Sequence, residues 1–241
     1  MKIPESLYLS EIVEYGVVVL LKNGISNAKK EIEWVCKKKI NISNLFLIKK
    51  NKTIKIREKK ILLEFINRRK KQEPFQYIIE QAPFYNQDFY VNQHVLIPRP
   101  ETEIIIEIVK DKTFKNALDI GTGSGNIAII LSLQKVAKNI LAIDISKEAL
   151  SVAKKNIRKF KISNITLKCI DFLNVKIDKK FDLIVGNPPY ISSDDYKNLP
   201  EMIKKHEPKI ALTDLNEGYN FYRYIADNLN SFINEKGIIL L

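Results

Sequence analysis

Few residues of this sequence belong to the types that build metal centres or disulfides. Its 241 residues include two cysteines, Cys36 and Cys169, and two histidines, His94 and His206. Each pair lies far apart and in no metal-ligand spacing, so we expect two reduced thiols, no metal site and no histidine-based triad. The chain also lacks an apolar run near the roughly 18–20 residues that span a bilayer. We therefore expect a soluble cytoplasmic protein.

Glycine is scarce, with eight residues, and the charge is one-sided. Lysine and arginine together number 40 against 28 acidic residues, a formal net charge of +12. Most of the excess lies in residues 1–80, which hold 18 basic and 9 acidic residues. Because lysine supplies 34 of the basic residues, biased codon usage and a solvated helical surface are the favoured explanation. Weak attraction to an RNA-rich or acidic partner is the alternative.

The first 80 residues carry apolar side chains at helical spacing. Three stripes have this spacing: Tyr8, Ile12, Tyr15 and Val19; Ala28, Ile32, Val35 and Cys36; and Ile61, Leu62, Phe65 and Ile66. Ser26 or Asn27 is placed to cap the second helix. We therefore predict a small helical domain over residues 1–80.

Residues 81–100 change character. Two aromatic runs, Phe84-Tyr85 and Phe89-Tyr90-Val91, flank Asn86-Gln87-Asp88, and this pattern indicates a β-hairpin. Pro98 and Pro100 then end the segment. We predict a hairpin linker over residues 81–100.

From residue 101 to 241 the pattern alternates between helices and strands. The predicted strands contain ALDI, NILAIDI, ITLKCIDF, FDLIVGN and GIILL, and the predicted helices cover about 101–110, 126–134, 148–160 and 219–233. Such alternation predicts a parallel, doubly wound α/β sheet covered on both faces. Ligands bind such sheets at the carboxyl ends of the strands, so the turns that follow the strands are the candidate site.

The turn after the first of these strands is rich in glycine. It contains Gly121, Thr122, Gly123, Ser124 and Gly125. A dinucleotide site would have its last glycine at position 126, which is asparagine here, and a phosphate loop would need a Gly-Lys-Ser/Thr run. Asp119 lies two positions before the first glycine, and a negative charge there suits a cationic ligand. The Gly-x-Gly-x-Gly spacing resembles the S-adenosylmethionine loop of Rossmann-like methyltransferases.

Two residues at the ends of the next strands would complete a nucleoside site. Asp144 ends the second strand, 23 residues after Gly121, where a carboxylate can accept hydrogen bonds from both ribose hydroxyls. Phe172 follows the third strand and offers a face to an adenine ring. A plainer interpretation stays open for each residue: a helix N-cap for Asp144 and core packing for Phe172.

The fourth strand ends in Asn187-Pro188-Pro189-Tyr190. A planar NH₂ group is a poor nucleophile, but the Asn187 side-chain oxygen and the Pro188 carbonyl can hold its two protons and aim its lone pair. The prolines fix φ and remove competing N–H donors, and Tyr190 can stack over the flat group. We assign catalysis to Asn187, Pro188 and Tyr190. All four residues, including Pro189, are assigned to substrate binding, and Asn187 is also assigned a contact with the cofactor. The alternative is a proline-terminated strand with a buried tyrosine.

Together these motifs resemble the amino-methyltransferases, among which two families compete. One is the DNA adenine-N6 methyltransferases, and the other is the release factor glutamine N5-methyltransferases. Further segments favour the second family: EPFQYIIE at 73–80, LIPRPETE at 96–103, and HEPKIAL at 206–212 followed by EGYNFYRYI. The resemblance covers about residues 5–241.

The resemblance implies a Rossmann-like class I methyltransferase domain over residues 101–241, preceded by the hairpin linker and an N-terminal helical bundle that recognises the substrate. It also implies S-adenosylmethionine as methyl donor and the glutamine in the Gly-Gly-Gln loop of class I peptide chain release factors as target. We expect a monomer without direct nucleic-acid binding. The roles of Arg99, Glu103 and the segment His206-Glu207-Pro208 stay open, with pocket contacts and a helix start as the choices for the first two.

One departure from the family concerns the last strand. Family members continue for a few dozen residues past the segment that matches GIILL and add a strand pair there, whereas this sequence stops at Leu241. A fragment or a lost hairpin would leave an apolar edge strand. An adenine-N6 methyltransferase acting on DNA or RNA and a non-catalytic, shortened relic therefore stay as alternative functions.

Overall fold

The computed structural model describes residues 2–42, 52–174, 177 and 179–241. It divides into two units, Met1–Ile79 and Glu80–Leu241. Within the described ranges, no helix is long and apolar enough to cross a membrane. The predicted helical region 1–80 includes residues 1 and 43–51, which lie outside the described residues.

The described part of the first unit is helical. Its helices are α1 (Leu9–Lys22), α2 (Ala28–Lys39), α3 (Ile56–Arg69) and α4 (Phe75–Ile79). Their apolar faces form one core, in which the ring of Phe75 packs edge-on against Trp34 and Phe65. The stripe predicted for α2 is buried throughout. Asn27 occupies the N-cap position of α2 without a side-chain hydrogen bond, and Tyr8 at the start of α1 is exposed.

The second unit begins with the hairpin of β1 (Ala82–Phe84) and β2 (Gln87–Phe89), which pair antiparallel. The predicted turn was Asn86-Gln87-Asp88, and this is corrected: the turn is Tyr85-Asn86, with φ of 48° and 58°. Two consecutive left-handed residues give the tight turn that matches strand twist. Phe84 and Phe89 are buried in the core of this unit, so the predicted linker segment contributes to that core.

The rest of the second unit is built around a parallel sheet. Its strands are β3 (Phe114–Ile120), β4 (Ala137–Asp144), β5 (Ile165–Cys169), β6 (Phe181–Gly186) and β7 (Ile233–Leu240). They lie in the order β5-β4-β3-β6-β7, and every neighbouring pair is parallel. The predicted doubly wound α/β sheet is therefore confirmed.

Helices precede β3 and follow β3, β4 and β6, whereas the described residues between β5 and β6 contain no helix. These helices are α5 (Ile104–Val109), preceded by a 3-10 turn (Pro100–Glu103), α6 (Asn126–Leu133), α7 (Lys147–Lys159), α8 (Ser193–Asn198), α9 (Glu201–His206), a second 3-10 turn (Lys209–Ala211), α10 (Asn220–Asp227) and α11 (Leu229–Phe232). One helix was predicted over 219–233, but two are present. Asn228 separates them: its side chain donates to the Tyr224 carbonyl at 2.9 Å and so satisfies the end of α10.

The strand order places the two candidate motifs side by side. The chain runs from β3 outward to β4 and β5, then returns to β6 on the other side of β3 and continues to β7. In open α/β sheets, a crevice forms outside the carboxyl ends of the strands where the order reverses. The glycine turn follows β3 and the Asn-Pro-Pro-Tyr segment follows β6, so both motifs begin at this crevice.

β7 is an edge strand of the sheet. Ile238 and Leu240 pack into the core on one face of the sheet, and Ile239 packs into the core on the other. These side chains are partly buried, so the strand predicted from GIILL takes its place in the sheet with apolar residues on both faces.

Candidate active site

A cavity of about 610 Å³ opens at the carboxyl ends of β3, β4 and β6. It is lined by residues 121–124, Asp144, Phe172 and residues 187–189, so most residues of the two predicted half-sites come together. Gly125 and Tyr190 lie outside the lining. Within the described ranges, no group of three or more His, Cys, Asp or Glu side chains is arranged to hold a metal ion.

Positive φ angles shape the glycine turn. φ is 67° at Gly121, 54° at Gly123 and 80° at Gly125, a region that residues with a side chain rarely adopt. Gly125 also precedes α6, where an added Cβ would lie 3.3 Å from the Cβ of Ala153. Gly125 is therefore required by the path of the backbone and by packing against α7, although it does not line the cavity.

Asp144 ties the glycine turn to the connection between β4 and α7. Its Oδ2 accepts from the Gly123 N–H and its Oδ1 from the Ser146 N–H, both at 2.9 Å. Burial raises the pKa of Asp144, and the N–H groups of Ser146, Gly123 and Ile145 oppose that rise. The N-cap of α7 is Ser146, whose hydroxyl accepts from the Ala149 N–H at 3.0 Å. Asp144 is thus held at the cavity, and its carboxylate, with about four acceptor sites, keeps capacity for a ligand beside these N–H groups.

Phe172 belongs both to the core and to the cavity wall. Its side chain is only 4% exposed and packs edge-on against Tyr224 and Phe232, with ring centroids 5.3 and 5.7 Å apart. It also lines the cavity. The two interpretations from the sequence, core packing and a wall for a ligand, are therefore compatible.

Asp119 lies behind the glycine turn and outside the cavity lining. It is fully buried, and its Oδ2 accepts from the Thr122 hydroxyl at 2.6 Å. Burial raises the pKa of Asp119 to about 7, while hydrogen bonds from Thr122 and from the Ala128 N–H restrain the rise. The expectation that this charge lies beside the ligand is thus corrected: Asp119 supports the turn from below.

The orientation of the Asn187 side-chain amide is set by a hydrogen bond to Thr102, a residue far away in sequence. Its Nδ2 donates to the Thr102 hydroxyl at 3.3 Å, which leaves Oδ1 as an acceptor at the cavity. Pro188 and Pro189 continue the wall. The Tyr190 side chain is 59% exposed. The alternative of a buried tyrosine is therefore wrong, and stacking of this exposed ring over a target group stays a prediction.

An ion pair joins two segments whose roles the sequence left open. Nη2 of Arg99 lies 2.9 Å from Oε1 and 2.7 Å from Oε2 of Glu207, which is buried. Arg99 and Pro208 both line the cavity. The pair therefore fastens the residues before α5 to the segment after α9, 108 positions later, and holds both at the cavity wall.

Glu103 and Thr102 have separate parts. Oε1 of Glu103 accepts from the Tyr85 N–H at 2.8 Å and so holds the hairpin turn, whereas Thr102 holds Asn187. The LIPRPETE segment stands out in the sequence, but the role of Thr102 does not. A threonine two positions after a proline gives no indication of a partner 85 residues away, so the resemblance of the whole segment was the only signal.

Family models match most of the chain. The model described as "Methyltransferase small domain" matches residues 100–212, and the model described as "PrmC N-terminal domain" matches residues 11–79. Among solved structures, the ribosomal protein L11 methylase from Lactobacillus delbrueckii subsp. bulgaricus is 25% identical, with 66% of this chain and 68% of that chain covered and a TM-score of 0.42.

Curated relatives extend these matches over the whole length. The release factor glutamine methyltransferase of Bacillus cereus is 34% identical over 238 residues, which cover 95% of this chain and 83% of the relative. That of Geobacter sulfurreducens is 31% identical over 241 residues, covering 99% of this chain and 84% of the relative. That of Fusobacterium nucleatum is 34% identical, covering 95% and 67%. The resemblance found in the sequence is thus confirmed, and the chain belongs to the release factor glutamine methyltransferase family.

Proposed function

We propose that this protein transfers a methyl group to the side-chain nitrogen of the glutamine in the Gly-Gly-Gln loop of peptide chain release factors. Membership of the family makes the chain a methyltransferase that uses S-adenosylmethionine. One observation carries the proposal for this chain: an asparagine amide oriented by Thr102 and a proline carbonyl share one cavity with the glycine turn and Asp144.

The residues of the donor half fit S-adenosylmethionine. When bound, this molecule supplies an electrophilic methyl group on a positively charged sulfur. The Asp144 carboxylate accepts from the ribose hydroxyls, and such charge-assisted hydrogen bonds contribute about 1.5–3 kcal/mol each. The ring of Phe172 provides an apolar wall for the adenine, and the main chain of residues 121–124 lines the space beside it.

The residues of the target half fit a primary amide. We assign Oδ1 of Asn187 and the carbonyl of Pro188 to the two hydrogens of the glutamine NH₂ group, which turns its lone pair toward the donor. Thr102 keeps the Asn187 amide from rotating, since its hydroxyl takes the bond from Nδ2. Catalysis by these residues consists of positioning, and the proton of the methylated nitrogen leaves to water.

The surroundings of the cavity support a protein substrate over a nucleic acid. Ile210 and Leu215 line the cavity and are 54% and 61% exposed, and Tyr190 follows the lining prolines. Exposed apolar side chains around a pocket are typical of contacts with proteins, whereas a phosphate backbone requires unpaired cations. Of the described cations that line this cavity, Arg99 is paired with Glu207, and Nζ of Lys209 lies 5.1 Å from the centroid of the Tyr196 ring.

The first unit has a part in the same proposal, as the region that recognises the release factor. Residues 1–80 hold 18 basic and 9 acidic residues, and such a surface accelerates association with an acidic protein. Cys36 and Cys169 are free thiols, which suits the reducing cytoplasm. We propose a cytoplasmic monomer that does not bind nucleic acid directly.

Labelled methyl donor tests the substrate. The protein is incubated with a bacterial release factor, with the same factor carrying Ala in place of the loop glutamine, and with adenine-containing DNA and RNA. We expect label in the intact release factor alone, and a mass increase of one methyl group on the peptide that contains the glutamine. Label in nucleic acid and not in release factor would favour adenine-N6 methylation.

Binding of the methyl donor distinguishes the proposed enzyme from a non-catalytic, shortened relic. Calorimetry with S-adenosylmethionine is expected to give saturable binding to the wild-type protein and much weaker binding to Asp144→Ala. Folded protein that binds no methyl donor and labels neither release factor nor DNA nor RNA would contradict the proposal and support a non-catalytic binding role.

A further inference from the structure

A second carboxylate in the cavity region, Asp214, organises a loop to which the sequence assigned no role. Its Oδ1 accepts from the N–H groups of Asn216 and Gly218, both at 2.9 Å, and its Oδ2 accepts from the N–H of Asn220 at 3.0 Å. We call residues 213–220 the Asp214 loop. A single side chain thus ties together the main chain of this loop and also satisfies the first residue of α10.

The environment keeps this carboxylate charged. Burial alone would raise the pKa of Asp214, but the three main-chain donors, Asn220, Asn216 and Gly218, bring it below its ordinary value. An ionised carboxylate is the form that accepts several N–H bonds at once. Asp214 therefore serves the loop as a fixed acceptor near neutral pH, and its oxygens are already used by the main chain.

The Asp214 loop packs on the main chain that follows the two prolines. The N–H of Ile191 donates to the Leu212 carbonyl at 3.1 Å, just before the loop, and the N–H of Ser193 donates to the Asn216 carbonyl at 2.8 Å. Ile191 and Thr213 also pair as a parallel bridge. The two segments therefore form a small ladder beside the cavity, although 22 positions separate Ile191 from Thr213.

Gly218 brings the Asp214 loop against the main chain of Tyr190. Its φ is 85°, and a Cβ added there would lie 2.3 Å from the carbonyl oxygen of Tyr190 and 3.0 Å from its carbonyl carbon. No real Cβ tolerates such a distance, so the position excludes any side chain. The N–H of Gly218 is one of the three groups held by Asp214. The carboxylate therefore fixes the point at which the loop meets Tyr190.

A displacement of the main chain at Tyr190 is passed on to Pro188 and Asn187 almost undiminished. The two residues before it are Pro188 and Pro189, whose rings fix φ and leave few ways to absorb a displacement. The Pro188 carbonyl and the Asn187 amide are the acceptors assigned to the target NH₂ group. Thr213, Asp214 and Leu215 line the same cavity as these acceptors, so the loop is also a wall of the site.

We propose that Asp214 is a positioning residue: through the Asp214 loop and Gly218 it fixes the main chain at Tyr190 and thereby aims the Asn187 and Pro188 acceptors at the target nitrogen. The inference rests on the proposed function for its catalytic part, and the loop contact itself is independent of the substrate. Asp214 does not contact the donor residues Asp144 or Phe172 through any hydrogen bond in the described part of the chain. Its effect should therefore fall on turnover and leave donor binding intact.

Three variants of the full chain test the proposal: Asp214→Ala, Asp214→Asn and, as matched control, Asp194→Ala, which removes an exposed aspartate paired with Lys197. For Asp214→Ala we expect kcat with release factor to fall on the order of 10²-fold, the loss typical of a misplaced reacting group. The donor Kd should stay within about twofold of the parent. Asp214→Asn keeps one acceptor oxygen, so it should recover part of the loss, and the control should match the parent.

Hydrogen exchange supplies a readout that needs no methylation. Asp214→Ala should speed amide exchange in the peptide that contains Ile191 and Ser193, whereas exchange at Gly123 should not change. If wild-type protein methylates no release factor, the proposed function fails, but the exchange data still decide the positioning contact. Unchanged exchange at Ile191 and Ser193 overturns the proposal, and so does a kcat of Asp214→Ala within about twofold of the parent. A donor Kd that weakens as much as kcat falls overturns it as well.

Discussion

The two walls of the cavity are held in different ways. The donor wall, residues 121–124 with Asp144, is fixed by bonds from segments close in sequence, and its longest hydrogen bond spans 32 positions, from the Asn156 side chain to the Ser124 carbonyl. The target wall, residues 187–189, is held from outside, by Thr102 at a separation of 85 positions. The Arg99–Glu207 pair, at a separation of 108 positions, braces the same side of the cavity.

This difference separates binding from turnover. A wall fixed by segments close in sequence stays formed when more distant segments change, so the donor site is expected to tolerate substitutions far from it in the unit. A wall held by distant partners loses its geometry when any one of them is removed. We therefore expect changes at the donor wall to alter donor affinity, and changes around the target wall to alter kcat or stability while the donor still binds.

The largest effect is expected at the acceptor itself. Asn187→Ala removes Oδ1 and should lower kcat by about 10²–10³-fold, or about 2.7–4 kcal/mol, as the loss of one oriented polar group does elsewhere. Donor affinity, measured by calorimetry, should change little. Asn198→Ala, which alters an exposed asparagine at the end of α8, is the control. A kcat close to that of the parent would show that Asn187 does not hold the target.

Breaking the brace should cost stability. Arg99→Met leaves the buried Glu207 carboxylate without its cation, and we expect a loss of about 3 kcal/mol in the free energy of unfolding, measured by urea denaturation. Lys197→Met breaks an exposed pair with Asp194 and should change that free energy by no more than about 0.5 kcal/mol. Equal losses for the two variants would contradict the assignment of a structural brace to Arg99.

The donor wall is tested by Asp144→Ala. Losing the acceptor for the ribose hydroxyls should weaken donor binding by about 1.5–3 kcal/mol, which is roughly 10–100-fold in Kd. At saturating donor, kcat should recover much of its parent value. Asp111→Ala alters an exposed aspartate after α5 and is the control. Unchanged donor affinity in Asp144→Ala would reduce that residue to a support for the glycine turn.

The smallest effect is a pH dependence set by Asp119. Its pKa in the folded protein is raised to about 7, so between its ordinary pKa and pH 7 the folded state binds a proton that the unfolded state has released. Stability therefore falls as pH rises from the ordinary pKa of an aspartate through pH 7, and about 1 kcal/mol of this loss comes between pH 6 and pH 8. Asp119→Asn removes this dependence. If the two proteins lose stability in parallel from pH 6 to pH 8, Asp119 is not the group responsible.

The sequence predicts the donor wall well because its signals are local. Three alternate glycines and an aspartate at the next strand end specify their own backbone path, and the structure places Gly121, Gly123 and Asp144 together as expected. The order of strands and helices follows from the same local periodicity. Asp119 is the exception, because burial behind the turn is a property of packing that spacing does not reveal.

The target wall is predicted only in part, since its geometry comes from distant partners. Asn187 could be singled out, but its bond to Thr102 could not. The hairpin shows the same limit: a left-handed tyrosine runs against local preference, and Tyr85 adopts φ of 48° where Glu103 accepts its N–H. The exposure of Tyr190 is likewise a property of the folded chain that the local sequence does not reveal.

The separation of 108 positions between Arg99 and Glu207 also bears on the order in which the protein becomes competent. Closing so long a stretch of chain costs more entropy than forming a turn between adjacent strand ends, so the donor wall should form first during folding. A folding intermediate with only the donor wall formed would bind the methyl donor without methylating a substrate. Methylation would then require the completely folded chain.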